Sequence, residues 1–491
     1  MAVVGPFWGG LESRHAGRYP LSVERHAIAQ VARLLPGVTT VTPNARYFTL
    51  HALVADEAQR RGLVAAEAQD LLRRAEVVLA GITLTHGPHP GLSAPHGADQ
   101  IRAAMGSGSL DVAQLSKPGA YAQSSWGFWG PYRGSETLLG LTRWEGSSLA
   151  PGDGLALEEA RKALGPVLDM ARLDVVDTAA LEGHPECCMC GCADAADGGM
   201  LRALLVPTNP DPRSHGGRRS ATIRMILRML QLHEVRSVTR DGWPILAYDP
   251  SLIDDPVCAP LEVMDAWRGV VLRNRSVLAW RDMWAELVNA IAGLSTIASL
   301  GDVLAEALPT GTVRSYRESL PGVGEGRTLL PAEIDPTVSK RNVLDRSLAL
   351  LLLGAARVGR LPDRVAAYFQ DPNEAMQELT PSWVLERIVD WEDRPLQDFA
   401  QWLVGVLVVR SQRIALMKAS FSQKSGTFQV PARVFVRDGL VFRDSNESGG
   451  PVSLRWDQLA SVMVGAGLCS AERTQESLIW RPTERGEALL A

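Results

Sequence analysis

Apolar residues at Val23, Ala27, Ile28, Val31, Leu34 and Leu35 approximate a 3.6-residue stripe. That spacing predicts an amphipathic helix capped by Ser22 and ended by Pro36-Gly37. Thr42-Pro43 places a capping hydroxyl before a proline at the first helical position, so a second helix is expected to about Arg61, with Gly62 as its stop. A third is expected over about 65–79, after which residues 81–120, rich in Gly, His and Pro, read as loop with short helical pieces. Beyond the loop "VPTNPDPRSHGGRR" (206–219), Ile223, Ile226, Leu227 and Leu230 share one helical face, and helical patterns return over 277–292, 343–358 and 383–416. "ARVFVRDGLVFRD" (432–444) instead alternates around Asp-Gly and predicts a β-hairpin, followed by helix-like "RWDQLASVMVGAGL", strand-like "ESLIWRPT" and a terminal helix. That order resembles a winged-helix variant, either a module that lays a helix in the major groove or a dimerisation and docking module.

The expected fold class is a mainly α multi-domain protein with a small α+β winged-helix-like C-terminal domain. Its expected segments are an N-terminal helical domain (1–150), a cysteine-cluster and basic-loop region (151–260), a helical domain (261–425) and the winged part (426–491). The longest apolar run, LALLLLGAA (348–356), is too short for a bilayer, and no basic-then-apolar leader opens the chain, so a cytoplasmic protein without membrane contact is expected.

A formal net charge of −5 excludes a grossly basic nucleic-acid coat but leaves room for a local basic face. Only five lysines are present (117, 162, 340, 418 and 424), which leaves few amines for Schiff-base chemistry. Four of the six cysteines crowd into "HPECCMCGC" (184–192), a spacing that favours metal over a disulfide framework. Cys187-x-x-Cys190 is a zinc-knuckle spacing, with Cys192 and His184 near and Cys258 or His215 as completing ligands, so a structural zinc is expected. A redox pair or buried unliganded thiols are the other readings. Catalytic zinc of the deaminase type is not expected, because Pro185 is not followed directly by Cys, as the Pro-Cys-x-x-Cys element of that pattern requires.

Three N-terminal segments carry a further signal: "LLPGVTTVTPNARYFTLHALV" (34–54), "QDLLRRAEVVLAGITLTHG" (69–87) and "QLSKPGAYAQSSWGFWGPYRGSETLLGLTRW" (114–144). In this order they resemble an uncharacterised bacterial family found among antiviral defence genes. The matching positions include Pro36, Gly37, Thr39, Thr40, Ala45, Arg46, Tyr47 and Phe48, then Tyr132, Gly134, Leu139 and Gly140. The extra "WGFWG" and the segment "WGGLESRHAGRYPLSVERH" depart from that pattern. Relatives of this kind include glycosylases that remove modified bases from phage DNA. The resemblance therefore implies an antiphage protein acting on phage DNA as a monofunctional glycosylase. Its alternative is a non-catalytic DNA-binding or scaffolding subunit working with other defence-system subunits.

Within that expectation, carboxylate and arginine are the chemistry a monofunctional glycosylase needs: one orients water and stabilises the sugar cation, the other neutralises phosphate or the leaving base. Glu12, Glu24, Arg46 and Tyr47 are the candidate catalytic residues, Tyr47 sharing a helix face with His51; Arg14 and Arg18 are candidates for substrate contact. Trp126, Trp129 and Tyr132 are candidate walls for an extruded base, with Arg133 on a phosphate. Arg213, Arg218 and Arg219 form a basic loop before a helix, an arrangement suited to phosphate. The plainer alternatives are solvated charges, satisfied buried pairs and aromatics that fill a core.

Overall fold

The computed structural model describes residues 7–8, 18–146, 148–153, 157–370, 377–422, 426–475 and 477–491. It is mainly helical with small sheets, and no helix among the described residues is long and apolar enough to cross a membrane. The chain forms two compact units that are not consecutive in sequence: Met1–Gln30 with Asp265–Val452, and Val31–Met264 with Ser453–Ala491. Four consecutive segments do not describe this division, because Leu21, Val23 and Ala27 bury in the core built by residues 277–441. The expected winged part is also divided. The hairpin Val434–Arg437/Leu440–Arg443 adds to Ser295–Thr296 in the first unit, whereas helix Trp456–Gly465 and hairpin Cys469–Arg473/Leu478–Pro482 belong to the second.

In the first unit, helices Glu262–Ala290, Ile297–Ala307, Val343–Ala356, Pro381–Asp390 and Leu396–Met417 carry the core. Trp280, Leu351, Phe399 and Leu403 lie at its centre. The pattern over 383–416 resolves into two helices: the first ends at Asp390, and Pro395 stands at the cap of the second. The hairpin turns at Asp438 and Gly439, both in the left-handed region (φ 54° and 79°), which is the turn that matches strand twist.

In the second unit, helix Ala45–Arg61 packs on Ala65–His86 and Leu157–Met170. It ends where Gly62 turns left-handed (φ 64°) and Leu63 N–H reaches back to Ala58 O at 2.9 Å. Its start is Ala45, two residues later than the Thr42-Pro43 signal, with Asn44 at the cap. Ser22 caps nothing: its own φ is 55° and the first helix runs Arg25–Leu34. The third helix continues to His86, seven residues past the expected end.

Arg357 shows how the first unit tolerates buried charge. It is fully buried and bonded at 2.6 Å through Nε and Nη2 to both oxygens of Glu333, and it donates to Val323 O and Leu330 O at 2.9 Å. Arg357→Met is expected to cost about 3–5 kcal/mol in chemical denaturation, because Glu333 keeps its buried charge without a counter-ion. The double variant with Glu333→Leu is expected to recover most of that loss.

Candidate functional site

The cysteine cluster folds as two short 3₁₀ turns, Pro185–Cys187 and Met189–Ala193, with Cys188 extended between them (φ −58°, ψ 148°). This break sends neighbouring thiols in opposite directions. Cys188 and Cys190 meet His86, the last residue of helix Ala65–His86, and His89 of the following Gly-Pro-His-Pro loop. One ligand atom from each of the four lies within 4.8 Å of all the others. Cys190 Sγ is 2.8 Å from Cys188 Sγ and 3.0 Å from His86 Nδ1. A tetrahedral ion with bonds of about 2.0–2.3 Å sets its ligand atoms roughly 3.3–3.8 Å apart, so this group is of a size to close around one. Hydrogen bonding from Cys190 holds the Cys188 thiol down to about 5, with Cys190 correspondingly raised.

The ligand set therefore differs from the expected one. Cys190 belongs to it, but Cys187 turns inward to Ala163 O (3.3 Å), where burial pushes its thiol up to about 12. Cys192 is fully buried with its Sγ 3.8 Å from Asp197 Oδ2. His184 pairs with Glu186 at 2.9 Å, and neither Cys258 nor His215 joins the group.

Arg46 fastens the same turns from below. Its guanidinium is buried and donates to Glu186 O (2.5 Å), Cys188 O and Asp197 Oδ1 (3.1 Å). Those donors are engaged within the protein, so Arg46 positions the cysteine turns and is not placed to hold a substrate.

One helical turn and a half along, His51 stands between two buried carboxylates. Its Nδ1 is 2.5 Å from Glu136 Oε1 and its Nε2 is 2.9 Å from Glu76 Oε1. Burial alone lowers the imidazole pKa; Glu136 and then Glu76 outweigh it and raise it to about 9, so the ring is charged at neutral pH. Burial raises Glu136, whose other oxygen accepts from the Thr142 hydroxyl at 2.9 Å. Glu76 also accepts from the amides of Phe128 (3.0 Å) and Trp129 (3.2 Å) and from the Tyr121 hydroxyl. Gly127 has φ 52°, and a Cβ there would overlap the Glu76 carboxylate, which accounts for the glycine.

This settles how the aromatic segment 126–136 is used. Trp129 is buried with Nε1 on Thr142 Oγ1 (3.1 Å), and Tyr132 is buried against Tyr47, Phe48 and His51 at 5.3–5.7 Å between centroids. Tyr47 is equally buried, its oxygen accepting the His96 amide at 3.1 Å. Tyr47 and Tyr132 therefore form core, not the walls of an open site. The outer edge is different, with Trp144 exposed and Trp126 half-buried against the buried Trp129. Trp126, Trp129 and Trp144 lie 5.2–5.5 Å apart, Trp129 and Trp144 nearly parallel at 16°, with Arg133 5.3 Å above the Trp144 ring. Trp144, 39% exposed on hairpin Thr142–Glu145/Ser148–Pro151, has no counterpart among the expected residues.

Glu12 and Arg14 lie outside the described residues. Arg18 is exposed. Glu24 is buried beside Arg281 (3.4 Å), its carboxyl raised by burial, and belongs to the first unit, whereas Arg46 and Tyr47 belong to the second. In the basic loop, Arg213 is exposed and Arg218 half-buried. Arg219 points inward to Leu204 O, Leu205 O and Pro36 O at 2.6–3.2 Å, and so is withdrawn from phosphate contact. Comparison with protein-family models, with curated proteins and with solved structures gave no match to this chain.

Because the folded His51 pKa lies above its free value, its stabilising contribution is complete below about pH 6.5 and is lost as pH rises through about 9. Urea denaturation across that interval is expected to show a fall of up to about 3 kcal/mol. His51→Gln is expected to lower stability at neutral pH and flatten this slope.

Proposed function

We propose that the protein acts on DNA in antiviral defence, as a monofunctional glycosylase that excises modified bases from phage DNA. The observation that carries this reading is the exposed Trp144 with the half-buried Trp126 beside it, packed on the buried Trp129 under Arg133, where the WGFWG insert departs from the defence family's pattern. An enzyme that works on a base must take it out of its stack, and indole faces beside a guanidinium replace part of the stacking that the base loses. Hydrolysis, rather than attack by an amine, is supported by the lysines: Lys117, Lys162 and Lys340 are exposed, and Lys418, whose pKa burial lowers, has its ammonium engaged by the carbonyls of Arg18 and Tyr19. A non-catalytic DNA-binding or scaffolding subunit is the second reading. It is favoured by the burial of Glu24, Arg46 and Tyr47, each already engaged within the fold.

Incubating the protein with phage DNAs that carry modified bases, then probing for abasic sites, separates the two. Abasic sites without a borohydride-trapped adduct support the first reading. Salt-sensitive DNA binding with every glycosidic bond intact supports the second. In either case Trp144→Ala is expected to weaken single-strand binding roughly 5- to 150-fold, the range for loss of about 1–3 kcal/mol of base stacking. Unchanged binding by this variant removes the aromatic face from the interface.

The metal in this reading is zinc. Two thiolates and two imidazoles are a set that zinc takes in tetrahedral form, and four protein ligands leave no open position, which is the structural rather than the catalytic arrangement. Metal analysis of freshly purified protein is expected to give one zinc per chain, lost in Cys188→Ser and in His86→Ala. Cys187→Ser is expected to keep the zinc while losing stability.

A further inference from the structure

The first unit contains a cavity of about 220 Å³ between the start of helix Arg25–Leu34 and the C-terminal half of helix Leu396–Met417. Four guanidiniums line it, those of Arg25, Arg273, Arg410 and Arg413, against one carboxylate, that of Glu378. Arg410 is nearly buried, with Nε fixed by Leu21 O at 2.7 Å and Nη1 3.1 Å from Glu378 Oε2. Arg413 donates to that same oxygen. One carboxylate oxygen thus serves two guanidiniums, and Arg25 has no carboxylate partner among the described residues. The walls are strained as well. Ser22 (φ 55°) and Leu379 (φ 67°) are two of the six described non-glycine residues with left-handed backbone, and both line this cavity. Leu379 is held there by Trp280 Nε1 on its carbonyl at 2.9 Å. Backbone in this region costs of order 1–3 kcal/mol per residue and persists where surrounding contacts enforce it, commonly at ligand clamps.

We propose that this cavity is a binding site for a phosphate group, in which Arg25, Arg410 and Arg413 take the anion and Glu378 occupies its place when the ligand is absent. The volume is that of about seven waters, more than one phosphate needs, and so it also admits part of the group that the phosphate is attached to. Arginine suits this role because its planar fork presents paired donors to phosphate oxygens while keeping its charge when buried. The site is independent of the tryptophan face and of base excision, so either assignment can fail without the other.

Calorimetric titration of the whole protein with inorganic phosphate, deoxyadenosine 5′-monophosphate and deoxyadenosine tests it. Saturable binding of phosphate or the nucleotide, but not of the nucleoside, is expected. Affinity for the nucleotide above that for phosphate identifies a phosphomonoester as the ligand, and equal affinity identifies the free anion. Arg25→Gln and Arg413→Gln, both at exposed positions, are each expected to weaken binding at least tenfold. Glu378→Gln is expected to strengthen it several-fold, since it removes the internal competitor, a gain that a merely structural carboxylate does not produce. Absence of saturable binding to phosphate and nucleotide, or affinities unmoved by all three substitutions, overturns the proposal.

Discussion

A charged imidazole held between two buried carboxylates is the constraint around which the second unit is arranged. Taking any of these ions out of water costs several kcal/mol, and the cost is offset only when each polar atom finds a partner. Here the partners come from several elements. Helix Ala45–Arg61 supplies His51, helix Ala65–His86 supplies Glu76, and helix Trp129–Leu139 supplies Glu136. The amides of Phe128 and Trp129, the Tyr121 hydroxyl and the Thr142 hydroxyl complete the set. The amide and hydroxyl donors take up the carboxylate lone pairs that the imidazolium does not reach. No one of these helices can slide without leaving a buried charge unsatisfied, so the network fixes their mutual register more tightly than apolar packing alone.

The same two helices also set the metal group. Glu76 and His86 are ten residues apart on one helix, about 15 Å along its axis. Arg46 and His51 are five residues apart on its neighbour, about 7.5 Å along the axis, Arg46 reaching the cysteine turns and His51 the acid cluster. An ion held by His86, His89, Cys188 and Cys190 would close a loop that Arg46 already holds by its carbonyls. The outward tryptophans inherit their placement from this frame, because Trp129 is both a donor to Glu76 through its amide and the inner plate of the exposed stack.

What could be read from the chain was what depends on near neighbours. The stop at Gly62 and the hairpin at Asp438-Gly439 follow from the backbone freedom that those positions require, and both are where the pattern places them. Ser22 misleads because its segment answers to a distant core: Leu21 and Val23 bury against helices beyond residue 277, which bends the backbone at Ser22 out of capping geometry. The metal set was half visible. Cys188-x-Cys190 lacks the usual knuckle spacing, and its histidines lie in a different segment, although His86-x-x-His89 between Gly and Pro at a helix end is a signal of its own. Glu76 carried almost none, since a glutamate in a helix normally faces water. Its one trace is Gly127, a glycine inside an aromatic run, where another group must approach the backbone closely.

Arginine is where reading charge from sequence misleads most, and the reason is chemical. A guanidinium has five donors in a plane and stays charged when buried, so it can bind several backbone carbonyls at once where an ammonium would lose its proton. In a chain with five lysines this role falls on arginine repeatedly. Arg46 binds Glu186 O and Cys188 O, Arg219 binds three carbonyls, and Arg357 joins two carbonyls to a carboxylate. The basic loop at 213–219 thus loses its most inward charge to the core. The density of arginines along the chain is therefore a poor guide to where anions bind. The better criterion is an excess of guanidiniums over acceptors around a space that a ligand can enter. The cavity beside Glu378 meets it, with two guanidiniums drawn to one oxygen and a third left without a carboxylate.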